Sequence, residues 1–260
     1  MQTAEVVLGV LRERGRKGLP FTQLYRQMFN KDLYLLAYGN IYSNQGAMTP
    51  GVSAETADGM SEGKIDQIIE AMRHERYRFS PARRVYIPKK NGKLRPLGLP
   101  SWSDKLVGEV VRLLLEAIYE PRFSDRSHGF RKGRGCHTAL REIRETWTGT
   151  TWFIEGDISD CYGSFDHEIL LGILAEKIHD QRLLRLIRHM LKAGALRNAA
   201  ERKHSAWLIY AWRVAGRRWA SGRLRCRQAG VGKAGIQGWP VSASRNAVIL
   251  SRPCLAAVER

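Results

Sequence analysis

No C-x-x-C pair occurs among the four cysteines Cys136, Cys161, Cys226 and Cys254. Spacing this wide argues against a zinc knuckle and against a disulfide scaffold. Long hydrophobic runs are missing too. No stretch approaches the roughly 18 apolar residues of a membrane span, so a soluble protein without a membrane partner is expected. The opening MQTAEVVLGVLRERGRKG carries an early acid and too short an apolar run for a secretion signal. A cytoplasmic location follows as an expectation.

Acid is scarce. The 260 residues hold 43 Lys and Arg against 25 Asp and Glu, a formal charge of +18. A surplus of this size points to a polyanionic partner, because each neutralised phosphate releases a condensed counterion. The 43% hydrophobic content excludes a wholly disordered chain.

Apolar residues at helical spacing predict helix from about residue 5 to 42. The stretch SNQGAMTPGVSAETADGMS reads as an exposed loop, rich in Gly, Ser and Thr. SEGKIDQIIEAMRHERY predicts an amphipathic helix over Ser61–Tyr77, opened by Ser61, with Ile65, Ile68, Ile69 and Met72 on one face. Two β-prone pieces, Arg84–Ile87 and Leu94–Leu97, flank Asn91-Gly92, the strongest short hairpin signal. The charges of this hairpin are Arg83, Arg84, Lys89, Lys90, Lys93 and Arg95, without an acid. It is read as a basic finger directed at phosphates.

A helix is predicted over Asp104–Tyr119. The following FSDRSHGFRKGRG brings Arg126, His128, Arg131, Lys132 and Arg134 beside glycines that let backbone approach phosphate. Phe130 between them either stacks on a base or anchors the loop, anchoring being the more common. Further on, Asp166 is placed as the N-cap of one helix and Gly194 as the C-cap of another. From Ala200 onward, twelve Lys and Arg stand against Glu201 and Glu259, among four tryptophans. A nucleic-acid arm with stacking aromatics and an altered end that does not fold are both open, the second preferred.

The run Trp152–Ile158 predicts a strand that ends in acid: FIEGDISDCYGSFDH. Asp157, with Asp160 three residues on, would hold carboxylates at a sheet margin where a hard divalent ion binds through oxygen. Two such ions can clamp the oxygens of a phosphoryl transfer. Asp157 capping a turn and Asp166 capping a helix is the equally weighted structural alternative.

RRVYIPKKNGKLRPLGLPSWSDKLV, SDRSHGFRKGRGCHTAL and FIEGDISDCYGSFDHEILL occur in the order and approximate spacing of bacterial group II intron reverse transcriptases, the multifunctional maturase proteins. NQGAMTPGVSAETADGM is similar to the loop that family carries ahead of its fingers. The resemblance covers about residues 35 to 194. It implies an α+β, partial right-hand polymerase fold: helical fingers with a basic β-hairpin, and an incomplete palm. The implied divisions are an N-terminal helical extension and family loop (1–60), fingers (61–150), the start of the palm (151–195) and a basic tail (196–260).

The resemblance also implies roles. Asp157 delivers a carboxylate to catalytic Mg²⁺, with the carbonyl of Ile158 assisting. Lys89 and Arg95 grip the incoming triphosphate, Asp160 lines its site, and Tyr162 closes the space a 2′-hydroxyl would need. Arg83, Arg84, Lys90, Lys93, Arg131, Lys132 and Arg134 contact RNA or phosphate, with ion pairs to Asp125 or Glu142 as the structural alternative for Arg131 and Arg134. His128 stands where the family has Tyr and is assigned to packing. The implied partners are group II intron RNA, a template-primer and dNTP, with a homodimer among the compatible assemblies.

The family's second acidic motif, Y/F-A-D-D, does not occur in these 260 residues, and GIQGWPVSAS is a weak echo of its PQGG loop. The expectation is a truncated or frameshifted RNA-directed DNA polymerase, inactive alone. The alternatives are a non-catalytic maturase that binds intron RNA to assist splicing, or a reverse transcriptase of the retron or diversity-generating lineages.

Overall fold

The computed structural model describes residues 2–44, 46–88, 92, 94–149 and 166–196. These divide into two compact units. The first takes the described residues up to Arg122 and from 166 onward; the second begins at Phe123 and runs to 149.

The first unit is built on α4 (Trp102–Tyr119), where Leu106, Val107, Val110, Val111, Leu114 and Ile118 are buried. Helices α1 (Ala4–Arg16) and α2 (Lys31–Tyr42) pack against it. Gly15 lies so close that a Cβ there would stand 2.3 Å from the Ile118 carbonyl oxygen. The expected helix over 5–42 is interrupted. Gly18 has φ +69°, Pro20 follows, and residues Leu24–Phe29 wind as a 3₁₀ helix before α2. Glycine's left-handed backbone and proline's missing N–H account for the break.

Helix α3 (Glu62–Arg73) starts where Ser61 accepts from the Lys64 N–H, and it buries Ile65, Ile68, Ile69 and Met72. It stops short of Tyr77. Glu75 takes a left-handed φ of +54°, and residues 76–80 beyond it are not helical. Helix α5 (Cys136–Thr146) belongs to the second unit. Helices α6 (His167–Ala175) and α7 (Gln181–Ala193) pair in the first, capped by Asp166 and Asp180. Asp180 also accepts the buried Tyr25 N–H at 2.8 Å.

A three-stranded sheet has the order β2-β1-β3. Strands β1 (Ala82–Pro88) and β2 (Leu94–Leu99) are antiparallel, and β3 (Ala195–Leu196) runs parallel to β1. Gly92, between β1 and β2, has φ +73°, which glycine adopts without a Cβ penalty.

Two buried devices hold the base of this hairpin. Asp104 is 2% exposed and accepts from the Tyr77 hydroxyl (2.7 Å) and Ser80 N–H (3.0 Å) before β1, and from the Ser101 hydroxyl (2.6 Å) after β2. Burial raises its pKa above the ordinary 3.8 despite these donors. The second device corrects an expectation. The stretch 43–61, read as an exposed loop, is seated on the start of α4. Ala47 and Ala57 pack on Trp102, and Lys105 donates to Thr49 O (2.9 Å). Ser103 donates to Glu55 through its hydroxyl (2.9 Å), and Lys64 pairs with Glu55 at 2.7 Å. A Cβ on Gly51 would lie 2.4 Å from the Pro100 carbonyl oxygen.

Candidate nucleic-acid interface

The hairpin forms because β-prone residues flank a turn glycine, and its register sets which cations share a face. Arg83 pairs with Leu99, Val85 with Leu97 and Ile87 with Arg95. Directly paired residues project to the same side, and alternate residues repeat it. Arg83 and Arg95 therefore share one face, separated by four residues or about 13 Å, and Arg84 lies on the other. Both Arg83 and Arg95 are exposed. Arg83 donates to the Pro50 carbonyl at 2.9 Å, which links the hairpin to the seated loop. The Arg84 Nε is buried without a hydrogen-bond partner. Tyr86, Ile87, Leu94 and Leu97 are also exposed, so the hairpin offers apolar surface between its charges.

Lys89, Lys90 and Lys93 lie outside the described residues, as do Asp157, Ile158, Asp160 and Tyr162. Of the predicted set, the described hairpin thus carries Arg83 and Arg95 on one face and Arg84 on the other. Among the described residues, no group of three or more His, Cys, Asp and Glu is placed to hold a metal. No helix among them is long and apolar enough to cross a membrane.

In the second unit, the predicted cations order their own loop. Arg131 donates to the carbonyls of Ser124 (2.7 Å) and Ser127 (2.8 Å) and stacks 5.5 Å over Phe123. Arg134 donates to the Asp125 carbonyl and pairs with its carboxylate at 2.9 Å. Lys132 is exposed. His128 is 7% exposed and spans Thr138 Oγ1 and Glu142 Oε2, each at 2.8 Å, which fits the packing role expected of it. Phe130 departs from the more common reading. It is 51% exposed with φ +57°, which disfavours anchoring and leaves its ring open for the other reading, a stacked base. Backbone acceptors gathered by Arg131 and Arg134 order the loop instead.

Sequence reasoning passed over the cations of α7, Arg182, Arg185, Arg188 and Lys192. Their three- and four-residue spacing was the available signal.

A reverse transcriptase (RNA-dependent DNA polymerase) family model matches residues 87–214. The group II intron-encoded protein LtrA of Lactococcus lactis subsp. cremoris is 51% identical over 179 residues, covering 68% of this chain and 30% of the relative. An uncharacterized 91 kDa protein in the cob intron of Schizosaccharomyces pombe is 49% identical over 174 residues, 66% of this chain and 22% of its own length. Nuclear intron maturase 1, mitochondrial, of Arabidopsis thaliana is 33% identical over 141 residues, 54% and 16% respectively. The aligned part therefore spans less than a third of each of these relatives. The order of motifs, the hairpin and these matches agree: the chain belongs to the group II intron reverse transcriptase/maturase family.

Proposed function

We propose that the chain supplies the fingers and the opening palm strand of an RNA-directed DNA polymerase, in the cytoplasm, with intron RNA as its nucleic-acid partner. The observation that carries this reading is the acid-free hairpin, whose exposed Arg83 and Arg95 share a face, Arg95 within the family match and Arg83 just before it. A template-primer lies along that face. Lys90 and Lys93 add phosphate contacts on the hairpin and Arg84 offers one from its other face, while Lys132, Arg131 and Arg134 contact RNA phosphate within the second unit.

Lys89 and Arg95 orient the incoming triphosphate. Arginine suits bidentate contact with phosphate, whereas lysine acts as a point charge. Tyr162 excludes a ribonucleotide sterically, and Asp160 lines the same site. The carboxylate of Asp157 and the carbonyl of Ile158 are the hard oxygen donors that Mg²⁺ prefers, and they would hold it. When bound, that ion neutralises charge on the phosphoryl oxygens. A second acidic pair is missing from these 260 residues, so this chain alone binds without extending a primer.

The test is native gel retardation of an RNA template–DNA primer, with and without dNTP and Mg²⁺. The reading expects a complex strengthened by the two together, and Asp157→Ala should keep RNA binding but lose that strengthening. Wild-type RNA binding indifferent to dNTP would transfer the assignment to a non-catalytic maturase, the reading favoured by the name of the Arabidopsis relative. Primer extension on poly(rA)/oligo(dT) should give no product; incorporation abolished by Asp157→Ala would overturn the inactivity. Sedimentation of the complex decides between a monomer and a homodimer.

A further inference from the structure

Helix α7 is amphipathic in a way the polymerase reading leaves unused. Leu183, Leu184, Leu186, Ile187, Met190 and Leu191 fill the core. Outside, besides the terminal Gln181 and Ala193, stand Arg182, Arg185, Arg188, His189 and Lys192, and the helix contains no acid. The spacing of Arg185, Arg188 and Lys192 puts them on one strip, about 10 Å long at 1.5 Å per residue.

The cations of this face are held in place. At the left-handed residue that ends α3, the Glu75 carboxylate takes Arg182 at 2.8 Å through one oxygen and Arg185 at 3.5 Å through the other. The Glu75 carbonyl accepts from Arg78 at 2.8 Å, and the Tyr77 carbonyl accepts from it at 2.9 Å. Arg182 also lies 4.5 Å over the Tyr25 ring. Arg188 pairs with Glu168 at 2.7 Å. Five cations thus stand against the two ion-pairing carboxylates and the buried Asp180 at the helix start, and Arg182, Arg185 and Arg188 keep side-chain exposures of 44%, 53% and 41%. The field is felt locally. His189 resists protonation, first through burial and then through Arg78, Arg185, Lys192 and Arg188.

The position of this face is fixed by the sheet. Arg78 precedes β1 and Lys192 precedes β3, and these strands run parallel. Both cations therefore lie at the base of β1, about 20 Å along that strand from the turn end. A surplus of ordered guanidinium groups beside partly satisfied ion pairs is suited to phosphate, which arginine meets bidentately and without regard to base sequence.

We infer that the outer face of α7, with Arg78, is a second phosphate-contacting surface that takes the RNA backbone at the base of the hairpin, away from the nucleotide end. The inference rests on the reading of the chain as an RNA binder.

The test combines footprinting with salt dependence. On the wild-type full chain, phenylglyoxal modification of Arg185 and Arg188 and acylation of Lys192 are mapped by mass spectrometry, alone, with structured RNA, and with phosphatidylserine vesicles. RNA should protect these residues several-fold and vesicles should not. The double variant R185Q/K192Q, which leaves the Arg188–Glu168 pair intact, should flatten the slope of log K against log salt by about 1.5, at 0.7–0.9 per lost phosphate contact. An unchanged slope with no protection overturns the inference while the RNA-binding reading stands. Protection by vesicles alone also overturns it. Wild-type binding without salt dependence overturns both.

Discussion

Replacing Asp104 separates a hydrogen-bonding role from a charge role. In Asp104→Ala the Tyr77 hydroxyl, the Ser80 N–H and the Ser101 hydroxyl lose their acceptor inside a site only 2% exposed. A buried donor left unpaired costs about 1–3 kcal/mol. Hydroxyl rotation recovers part of this, so the total should be about 3–5 kcal/mol. Asp104→Asn keeps the shape. Its amide nitrogen can replace the oxygen facing Tyr77 and donate to that hydroxyl, while its carbonyl keeps Ser80 and Ser101. The cost should stay below about 1 kcal/mol.

The pH dependence adds a sign. Burial raises the Asp104 carboxyl above its usual 3.8 in the folded chain. The folded state therefore holds the proton longer than the unfolded one, and wild type loses stability as pH rises from 3.8 through the folded value. Asn does not titrate, so its stability relative to wild type should improve over that window. Urea unfolding by tryptophan fluorescence reads both effects. With a slope of about 2 kcal/mol/M, Ala should move the midpoint down by about 2 M. Equal losses for Ala and Asn, or a loss below about 1 kcal/mol for Ala, would show that the Asp104 carboxylate does not hold these donors.

The seated loop yields two further expectations. Glu55 feels a raising effect from burial, but the Lys64 ammonium and the Ser103 hydroxyl and N–H outweigh it and hold its carboxyl below 4.5. Its contribution is therefore present above 4.5 and lost as pH falls through the lower folded value. Glu55→Gln should flatten the acid limb of the stability curve, and an unchanged limb would contradict the pairing. Gly51→Ala forces a methyl against the Pro100–Ser101 backbone and should cost about 1–3 kcal/mol, with faster proteolysis in the 43–61 stretch. Wild-type resistance would show that the loop is not seated there.

Local signals were legible in the sequence. Asn91-Gly92 marked the hairpin, Ser61 and Asp166 marked helix starts, and Gly194, with φ +63°, ended α7 as expected. Each depends on residues within a turn of one another. Long-range dependence hid the rest. Asp104 looked like one more polar residue at a helix start, because two of its donors stand 24 and 27 residues earlier. The stretch 43–61 has loop composition, and only Trp102, Ser103 and Lys105 explain its burial. Arg134 forms the ion pair to Asp125 that the sequence offered as the alternative to a phosphate contact, but the backbone carbonyls of Ser124, Ser127 and Asp125 that Arg131 and Arg134 also meet had no signal in the sequence. The α7 cations were visible as spacing, but their convergence with Arg78 needed the turn at Glu75.

In the proposed function, the cations of the acid-free hairpin grip RNA phosphates. Filter retention of structured RNA across a salt series, on wild type and on Arg83→Gln/Arg95→Gln, tests it most directly. The account predicts log affinity falling steeply and linearly with log salt, and a slope reduced by about 1.5 in the variant. A flat wild-type response, or a variant that binds with the same slope, would contradict it.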